Sequence, residues 1–433
     1  MMRATSTNGP FLAMRLASVL LVCVAGSSAQ PSTDTTVAHV FAHPAYRRAA
    51  DTLEQTFPQF VRDVVALTEI AAPPRAESAR AEACASLLRE AGLVSTTIDP
   101  EGNVVAFRPG LGGPLLVIAA HLDTVFPAGT DVRVRRDGVR LSAPGIGDNA
   151  QGVATLVAIA RALTAARAAT INDLLFVADV GEEATGDLRG IRYLLTQSRY
   201  KGRVKHFVAI DGAGDGNVIT TSAVGSRRYR VTFRGPGGHS FGSFGTVNPA
   251  SAMAGAIAAL NALKVPETPR TTFNVGVLGG GTSVNTIPST VWMEVDLRSE
   301  SPVELSKLDQ EFRDIVRRAT DAENRTHSVA LGPIDATVEQ VGLRPSGQTS
   351  ASSAIVGTTA AAMRLMNLAP VFASASTDAN LPISLGIAAI TIDSGIPGDR
   401  AHAPDEWIEL DPRVAVAGLQ RTLLIVLSLA GLR

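Results

Sequence analysis

The sequence has 433 residues, and its 39 lysines and arginines against 40 aspartates and glutamates give a formal net charge of −1. A domain usually has about 100–200 residues, so this length predicts two or three domains. The hydrophobic content of 45% excludes a disordered chain. The balanced charge excludes a whole-molecule field that would hold nucleic acid or an anionic membrane. Only seven histidines occur, so the position of each one is informative.

The first 29 residues have the features of a secretory signal peptide. Arg3 and Arg15 precede an apolar run over 16–26, and small residues follow as far as Ala29. A basic start, a short apolar run and small residues before a cut are typical of a cleaved leader. The run is shorter than the ~20 apolar residues that span a bilayer. We therefore expect cleavage after Ala29, a secreted or periplasmic protein and no membrane span.

Strand and helix patterns alternate after this leader. Helices are predicted over 43–68, 77–91, 149–166 and 187–198, and strands over 102–107, 115–120, 173–180 and 206–210. Such alternation is typical of βαβ units. The fold class that we predict is therefore α/β, with a mixed, mostly parallel sheet flanked by helices.

The pattern changes around Ala223 and returns after about residue 340. Between these points, strands are predicted over 226–233, 271–278 and 291–298 and near Val329, with helices over 248–263 and 304–322. Helix, strand and helix then follow over 351–368, 387–392 and 414–429. We therefore predict an inserted α+β domain over 223–338, which divides a catalytic domain into the parts 37–222 and 339–433.

Histidines and carboxylates follow four of the predicted strands of the catalytic domain. The residues are His121 and Asp123, Glu182 and Glu183, Asp211, and His402. A glycine-rich loop over 145–149 adds Asp148 at the start of a helix. Functional groups of an open α/β sheet collect where strands end at their carboxyl edge, so we expect these side chains to meet.

So many carboxylates cannot share one edge as bare anions, because like charges raise one another's pKa values. One or two divalent cations would resolve the conflict, and mixed histidine and carboxylate ligands suit zinc or a similar metal. Asp123 is placed to accept the second ring N–H of His121. Of Glu182 and Glu183, we expect one to face the metals and the other to serve as general base.

Each of these residues alone has an ordinary structural interpretation. Asp148 and Asn149 could cap a helix, and Glu182 with Glu183 could begin a solvated one. Their joint occurrence at four strand ends favours a functional site. Four of the other five histidines are expected to be structural: His39, His43, His206 and His327.

Six segments resemble the motifs of the M20 (M20/M25/M40) family of zinc metallopeptidases. They are AHLDTV at 120–125, GIGDNAQG at 145–152, VGEE at 180–183, GPGGHS at 235–240, GGGTSVNTIP at 279–288 and STDAN at 376–380. They occur in the family's order over nearly the whole mature chain. The family includes tripeptide aminopeptidases, glutamate-releasing carboxypeptidases and deacylases of acetylornithine or succinyl-diaminopimelate.

The resemblance implies a centre with two divalent metal ions, zinc in the first place and cobalt or manganese as alternatives. Asp148 would bridge the ions, His121 and Asp211 would complete one site, and Glu183 and His402 the other. Many members of the family have a second aspartate where this sequence has Asn149, and we interpret that change as tolerated.

The resemblance also implies catalytic and substrate-binding roles. Glu182 would be the general base, Asp123 would orient His121, and His239 would help to stabilise the oxyanion, within one chain or across a dimer. Two further residues match positions that hold the substrate's carbonyl or carboxylate end: Asn285 and Arg298. The inserted domain is similar to the family's lid and dimerisation domain, so a homodimer is expected.

The function that we expect is hydrolysis of an amide or peptide bond in a small peptide by an exopeptidase of the amino- or carboxypeptidase type. Water activated by two metals would attack, with Glu182 as general base. An N-acyl amino acid deacylase is the alternative within the class, and a secreted binding protein without catalysis is the alternative outside it. Nucleotide binding is disfavoured because the glycine loop lacks the third glycine of the dinucleotide fingerprint. Three loop residues could read either a free amine or a free carboxylate on the substrate: Arg344, Asp378 and Asn380.

Overall fold

The computed structural model describes residues 33–433. The predicted signal peptide lies outside the described residues. The helices are α1 Thr33–Ala42, α2 Pro44–Gln55, α3 Phe57–Thr68, α4 Ser78–Glu90, α5 Gln151–Ala165, α6 Arg189–Thr196, α7 Pro249–Asn261, α8 Pro302–Thr326, α9 Ala354–Leu365, α10 Asn380–Ser384 and α11 Pro412–Ala430.

Strands are numbered in chain order in the same way. They are β1 Thr97–Ile98, β2 Val104–Arg108, β3 Gly113–His121, β4 Arg135–Asp137, β5 Arg140–Ser142, β6 Asn172–Asp179, β7 Val204–Ile210, β8 Val218–Ala223, β9 Gly225–Arg234, β10 Gly238–His239, β11 Thr271–Gly280, β12 Thr286–Ile287, β13 Thr290–Ser299, β14 Asp335–Arg344, β15 Gly347–Gln348, β16 Val371–Ala375, β17 Ala388–Ile392, β18 Gly398–Asp399 and β19 Trp407–Glu409.

The main sheet has the strand order β1-β2-β6-β3-β7-β17-β8-β15, and β16 pairs with β8. The central neighbours β6, β3, β7 and β17 are parallel to one another, whereas β1, β2 and β15 add antiparallel pairs at the edges. The predicted α/β class with a mixed, mostly parallel sheet is confirmed.

Strand β3 shows why this sheet is covered on both faces. Its residues are apolar without interruption from Leu115 to Ala120, and all six are buried. Successive side chains of a strand point to opposite faces. Leu116 and Ile118 accordingly join the core beneath α5 and α11, while Leu115 and Val117 join the core beneath α6. A continuous apolar run is typical of such a doubly covered parallel strand.

Helix α11 is long and apolar enough to cross a membrane by length and composition, but 72% of its apolar window is buried within the protein. Leu419, Leu423 and Ile425 are among its fully buried side chains. This helix therefore serves as a core helix of the main domain in the described structure.

A second sheet has the order β11-β13-β9-β14 and is antiparallel throughout. Helices α7 and α8 cover one face, where Tyr229, Val231 and Phe233 of β9 are buried. The alternate residues of β9 and β13 occupy the opposite face. They are Arg228, Arg230, Trp292, Glu294, Asp296 and Arg298. We call this sheet with its two helices the lid.

Two details of the lid differ from the sequence-based expectations. The strand expected near Val329 is wrong, because Gly332 donates to the Val329 carbonyl in a turn and Pro333 follows, so that the strand begins only at Asp335. Strand β14 then continues to Arg344. The boundary that was predicted at residue 338 therefore falls inside a strand of the lid sheet.

Candidate metal centre

The parallel strands β3, β6 and β7 end at the same edge of the main sheet. His121 is the last residue of β3, Glu182 and Glu183 follow β6 after a two-residue turn, and Asp211 follows β7 directly. His402 comes from the loop between β18 and β19. Adjacent parallel strands end side by side, so the topology alone brings these side chains to one place.

Asp148 lies between two imidazoles, with one carboxylate oxygen facing each. Its Oδ1 is 2.9 Å from Nε2 of His121, and its Oδ2 is 3.2 Å from Nε2 of His402. Asp211 Oδ1 lies 3.5 Å from the same nitrogen of His121. Glu183 Oε1 lies 2.9 Å from the same nitrogen of His402. The five residues thus form two half-sites that share Asp148.

The charges of this cluster shift the pKa values of its members strongly. Hydrogen bonds with Asp148 and Glu183 raise the pKa of His402 to about 10. Burial opposes the protonated form of His121, but Asp148 and Asp211 raise its pKa well above the usual value. Burial likewise opposes the anion of Asp148, yet its contacts with the two histidines hold its pKa below the ordinary range. The carboxylates therefore attract positive charge onto the imidazole nitrogens.

The residues fit divalent metal ions. One ligand atom each from His121, Asp148 and Glu183 lie within 4.8 Å of one another. Asp148 Oδ1 is buried and accepts no well-aligned hydrogen bond, although His121 Nε2 is 2.9 Å away. Imidazole nitrogens and carboxylate oxygens are the donors that zinc and similar metals prefer. A metal ion would take the place of the protons that the cluster now attracts.

The loop that carries Asp148 is held by a buried glutamate that the sequence did not single out. Glu406 accepts hydrogen bonds from the backbone nitrogens of Gly145, Gly147 and Asp148 at 2.9, 2.7 and 2.6 Å. A side chain at position 147 would bring its Cβ to 2.9 Å from Glu406 Oε1, which explains the glycine there. His402 lies four residues before Glu406, so one loop supplies both an imidazole of the cluster and the carboxylate that holds the Asp148 loop.

Asn149 faces away from the ligand atoms. Its side-chain nitrogen donates to the carbonyl of Ile210 at 2.8 Å, just before Asp211. An aspartate could not donate this hydrogen bond. The residue that departs from the family's pattern therefore supports the end of β7 in this chain.

Asp123 acts differently from the sequence-based expectation. Nδ1 of His121 lies 3.1 Å from the backbone carbonyl of Asp123 and 3.8 Å from its carboxylate. The carboxylate instead accepts the backbone N–H groups of Glu182 and Glu183 at 3.0 and 2.8 Å. Asp123 thus fixes the turn that carries both glutamates, while its main chain orients the imidazole.

Glu182 is buried and paired with an arginine of the lid. Arg344 Nη1 donates to Glu182 Oε1 at 2.8 Å, and the other guanidinium nitrogen donates to the Glu182 carbonyl. Burial raises the pKa of Glu182 to about 8, although the charge of Arg344 opposes this shift. A carboxyl group that gains and loses a proton near neutral pH is suited to general acid–base chemistry.

A cleft of about 300 Å³ separates the metal-ligand cluster from the lid. Its lining combines four of the acidic residues with His402, three arginines and small or apolar side chains: Val125, Asp148, Glu182, Glu183, Ala184, Asp211, Arg228, Arg298, Arg344, Ser376 and His402. The cleft thus has an acidic wall on the main domain and a basic wall on the lid.

His239 and Asn285 are neighbours at the small two-stranded sheet β10-β12 beside the lid, and they do not line this cleft in the described chain. Ser240 donates to the Asn285 carbonyl at 2.9 Å. Nδ1 of His239 accepts the backbone N–H groups of Phe241 and Gly242 at 3.2 and 3.3 Å. Phe241 and a second aromatic side chain nearby, Phe244, are 87% and 90% exposed. Arg298 is the only one of the three predicted lid residues that lines the described cleft.

Asn380 and Asp378 are buried behind the cleft. The side-chain nitrogen of Asn380 donates to the carbonyls of Val224 and Pro345 at 2.8 and 3.0 Å. These two residues flank β9 and β14, where the chain enters and leaves the lid. Asn380 therefore connects the lid to the main domain and does not face the cleft. Burial raises the pKa of its neighbour Asp378 well above the usual value.

Comparisons with known proteins agree with this geometry. A family model described as peptidase family M20/M25/M40 matches residues 117–425. No curated protein matches the sequence.

Solved structures resemble the fold over most of its length. The aminopeptidase PepT from Bacillus cereus ATCC 10987 is 18% identical, with a TM-score of 0.67 over 86% of this chain and 99% of that chain. The YXEP protein of Bacillus subtilis, described as a dinuclear metal-binding peptidase from the M20 family, is 16% identical, with a TM-score of 0.63 over 87% and 99%. A hydantoinase/carbamoylase family amidase from Burkholderia vietnamiensis is 18% identical, with a TM-score of 0.66 over 86% and 97%.

Proposed function

The chain belongs to peptidase family M20/M25/M40 and is a hydrolase, and from this premise we propose that it cleaves an amide or peptide bond in a small peptide, as an exopeptidase that uses two divalent cations. The observation that carries the proposal is the placement of Asp148, whose two oxygens face two different imidazoles at 2.9 and 3.2 Å. A carboxylate in this position can bridge two metal ions.

Two sets of residues would hold the cations. His121 and Asp211 make up one half-site, Glu183 and His402 make up the other, and both include Asp148. Zinc fits this donor set, as do cobalt and manganese. Such cations supply Lewis-acid polarisation of the scissile carbonyl and lower the pKa of a neighbouring water.

Glu182 acts as the general base. Arg344 engages its Oε1 at 2.8 Å, which leaves Oε2 to take a proton from water. Burial raises the pKa of Glu182 to about 8, so the protonated carboxyl can pass this proton to the leaving amine. Asp123 keeps Glu182 in place by accepting its backbone N–H at 3.0 Å.

His239 and the lid point to a homodimer. Nδ1 of His239 accepts two backbone N–H groups, so Nε2 carries the proton and can donate to an oxyanion. This side chain does not line the cleft of its own chain, whereas Phe241 and Phe244 beside it expose large apolar surfaces. A second copy that covers these aromatics would bring the imidazole to the other subunit's cleft, with Asn285 beside it. The predicted signal peptide supports the proposal that this enzyme acts as a secreted or periplasmic protein.

Deacylation of an N-acyl amino acid is the second candidate. The similarity to a solved amidase favours it, and the arginines of the lid would serve the free carboxylate of such a substrate equally well. The cleavage chemistry at the metal-ligand cluster is the same in both cases.

The test is a hydrolysis screen of dipeptides, tripeptides and N-acyl amino acids with zinc, cobalt or manganese added. We expect metal-dependent release of an amino acid from peptides, abolished by a chelator and restored by the metal. Activity on N-acyl amino acids alone would favour the deacylase. Binding of these compounds without hydrolysis under any metal would contradict the proposal and favour a binding protein.

A further inference from the structure

Arg228 lies on the basic wall of the cleft, and no motif drew attention to it. It is a residue of β9 on the face opposite the lid helices, and its neighbours on that wall are Arg298 and Arg344. One of its terminal nitrogens donates to the carbonyl of Ala184, directly after Glu183. The guanidinium therefore bridges from the lid to the rim of the metal-ligand cluster.

The lid wall holds fewer anions than cations around Arg228. Asp296 is the carboxylate shared by two guanidiniums: its Oδ2 lies 2.6 Å from Nε of Arg298, while its Oδ1 lies 3.6 Å from Nε of Arg228. The closer contact belongs to Arg298, and the distance to Arg228 exceeds that of a hydrogen bond. Arg344 is engaged by Glu182. Arg228 thus has the weakest carboxylate contact of the three.

The other carboxylates near β9 are engaged elsewhere. Asp187 pairs with Arg192 at 3.3 Å and accepts the backbone N–H of Leu343 at 2.7 Å. Glu294 pairs with Arg230 at 2.8 Å. Neither forms an ion pair with Arg228, although the charge of Asp187 acts on it. Arg228 remains close to the like charges of Arg344 and Arg298. Burial and the charge of Arg344 lower the pKa of Arg228, and the charge of Asp296 opposes this shift only in part.

Arg228 is also open to a ligand. Its side chain is 22% exposed, and it lines both the cleft and an adjoining cavity of about 260 Å³ that includes Asn274 of β11. A planar guanidinium with free N–H groups in a partly desolvated site is suited to carboxylate recognition. Since Arg298 already serves one end of the substrate in our proposal, a second basic group is left for a second anion.

We propose that Arg228 binds a second carboxylate of the substrate, so that the preferred substrates carry an aspartate or glutamate next to the scissile bond. This inference rests on the proposed hydrolase function. The acidic residue can lie on the amino or on the carboxyl side of the bond. Both cases share one chemistry, namely an additional side-chain carboxylate beside the lid wall.

The experiment compares isosteric peptides with the metal-loaded enzyme. The pairs Ala-Glu and Ala-Gln, and Glu-Ala and Gln-Ala, differ only in the charge of one side chain and test the two sides of the bond separately. We expect kcat/KM to favour the glutamate peptide of one pair by about 10- to 100-fold, the range that a hydrogen bond to a charged group gives. Most of the difference should appear in KM.

Two substitutions connect this preference with Arg228. Arg228→Met should lower the ratio of kcat/KM for the glutamate peptide to kcat/KM for the glutamine peptide by the same factor, while Arg228→Lys should retain part of the preference. Arg230→Met is the matched control, because Arg230 lies two residues further on the same face of β9 but pairs with Glu294 and stacks on Trp292 at 3.7 Å. The control should keep the full preference.

The possible failures are distinguishable. Equal hydrolysis of both members of each pair by the wild-type enzyme would overturn the inference and leave the proposed function standing. A preference that survives in Arg228→Met would assign it to another residue and equally overturn the inference. Failure to hydrolyse any peptide or N-acyl amino acid would overturn the proposed function itself. If Arg228→Met has a lowered melting temperature, the competitive inhibition constants of free glutamate and free glutamine are compared on the wild-type enzyme. Equal inhibition constants would contradict the inference.

Discussion

The two walls of the cleft are built in opposite ways. On the main domain, His121 and Glu183 are buried, Asp148 and Asp211 are partly buried, and His402 is 54% exposed. The loops of this cluster are fastened by backbone hydrogen bonds, as Glu406 and Asp123 show. On the lid, two of the three facing arginines are only partly buried: Arg228 is 22% exposed and Arg298 is 34% exposed, whereas Arg344 is buried against Glu182. The first wall is preorganised for cations, whereas the second presents longer side chains to anions.

This difference teaches where each kind of change should be felt. Substitutions on the main-domain wall should alter the metal content or the chemical step, because in our proposal those groups hold cations and move protons. Substitutions on the lid wall should alter KM and substrate preference and leave the metals in place.

Replacing the general base should give the largest effect. In Glu182→Gln we expect kcat to fall by about 10²- to 10⁴-fold, the usual contribution of a positioned base. Metal content measured by elemental analysis should stay at the wild-type level, since Glu182 is not a ligand in our proposal. Turnover close to that of the wild type would contradict the assignment.

Glu406→Gln should weaken the metal centre without touching a ligand. A glutamine cannot accept all three backbone hydrogen bonds of the Asp148 loop, so we expect the affinity for zinc to fall by about 10- to 100-fold, as for other outer-shell changes. Titration calorimetry on the metal-free protein measures this affinity. Glu409→Gln, on strand β19 close by, is the control and should bind zinc normally. A lower melting temperature with unchanged zinc affinity would show a merely structural role.

Metal binding should become stronger as the pH rises. Contacts with Asp148 and Glu183 raise the pKa of His402 to about 10, so below that pH a metal ion must displace a proton from this imidazole. The affinity for the metal should therefore increase with pH between pH 7 and 9, by about tenfold per pH unit for one displaced proton. Calorimetry in buffers of different ionisation enthalpy counts the protons released. An affinity that does not change over this range would contradict the placement of His402.

Arg298→Met should give the smallest of these effects. We expect KM to rise by about tenfold through the loss of one charged hydrogen bond to the substrate, with kcat and zinc content near the wild-type values. Steady-state kinetics on the best peptide of the screen measure the change. A loss of bound metal in this variant would contradict the assignment of metal binding to the main-domain wall and substrate binding to the lid wall.

The main-domain wall was predictable from the sequence because its signal is local. An uninterrupted apolar run followed at once by a polar residue marks a buried strand and its end, as at His121 and Asp211. Glu182 follows strand β6 after a two-residue turn, and β6 ends in the same way at Asp179. Parallel topology then dictates that those ends meet. The alternation of β9 and β13 likewise predicted the lid strands, although it did not show which face would meet the cleft.

Other features depend on contacts that no local pattern reveals. Glu406 looks like any loop glutamate until the loop around Asp148, more than 250 positions away in the chain, is placed against it. Arg228 is one of several arginines in β9, and only the strand pairing and the position of the lid show that it faces the cleft. Strands β8 and β16 mix small, polar and apolar residues over five or six positions, so their patterns were too short to recognise.

The most direct test of the central claim is an anomalous diffraction experiment on crystals of the zinc-loaded protein at the zinc absorption edge. We predict two peaks about 3.5–4 Å apart, as in other two-metal hydrolytic sites. One should lie at His121 and Asp211, the other at Glu183 and His402, and both at Asp148. A single peak, or peaks away from Asp148, would contradict the account.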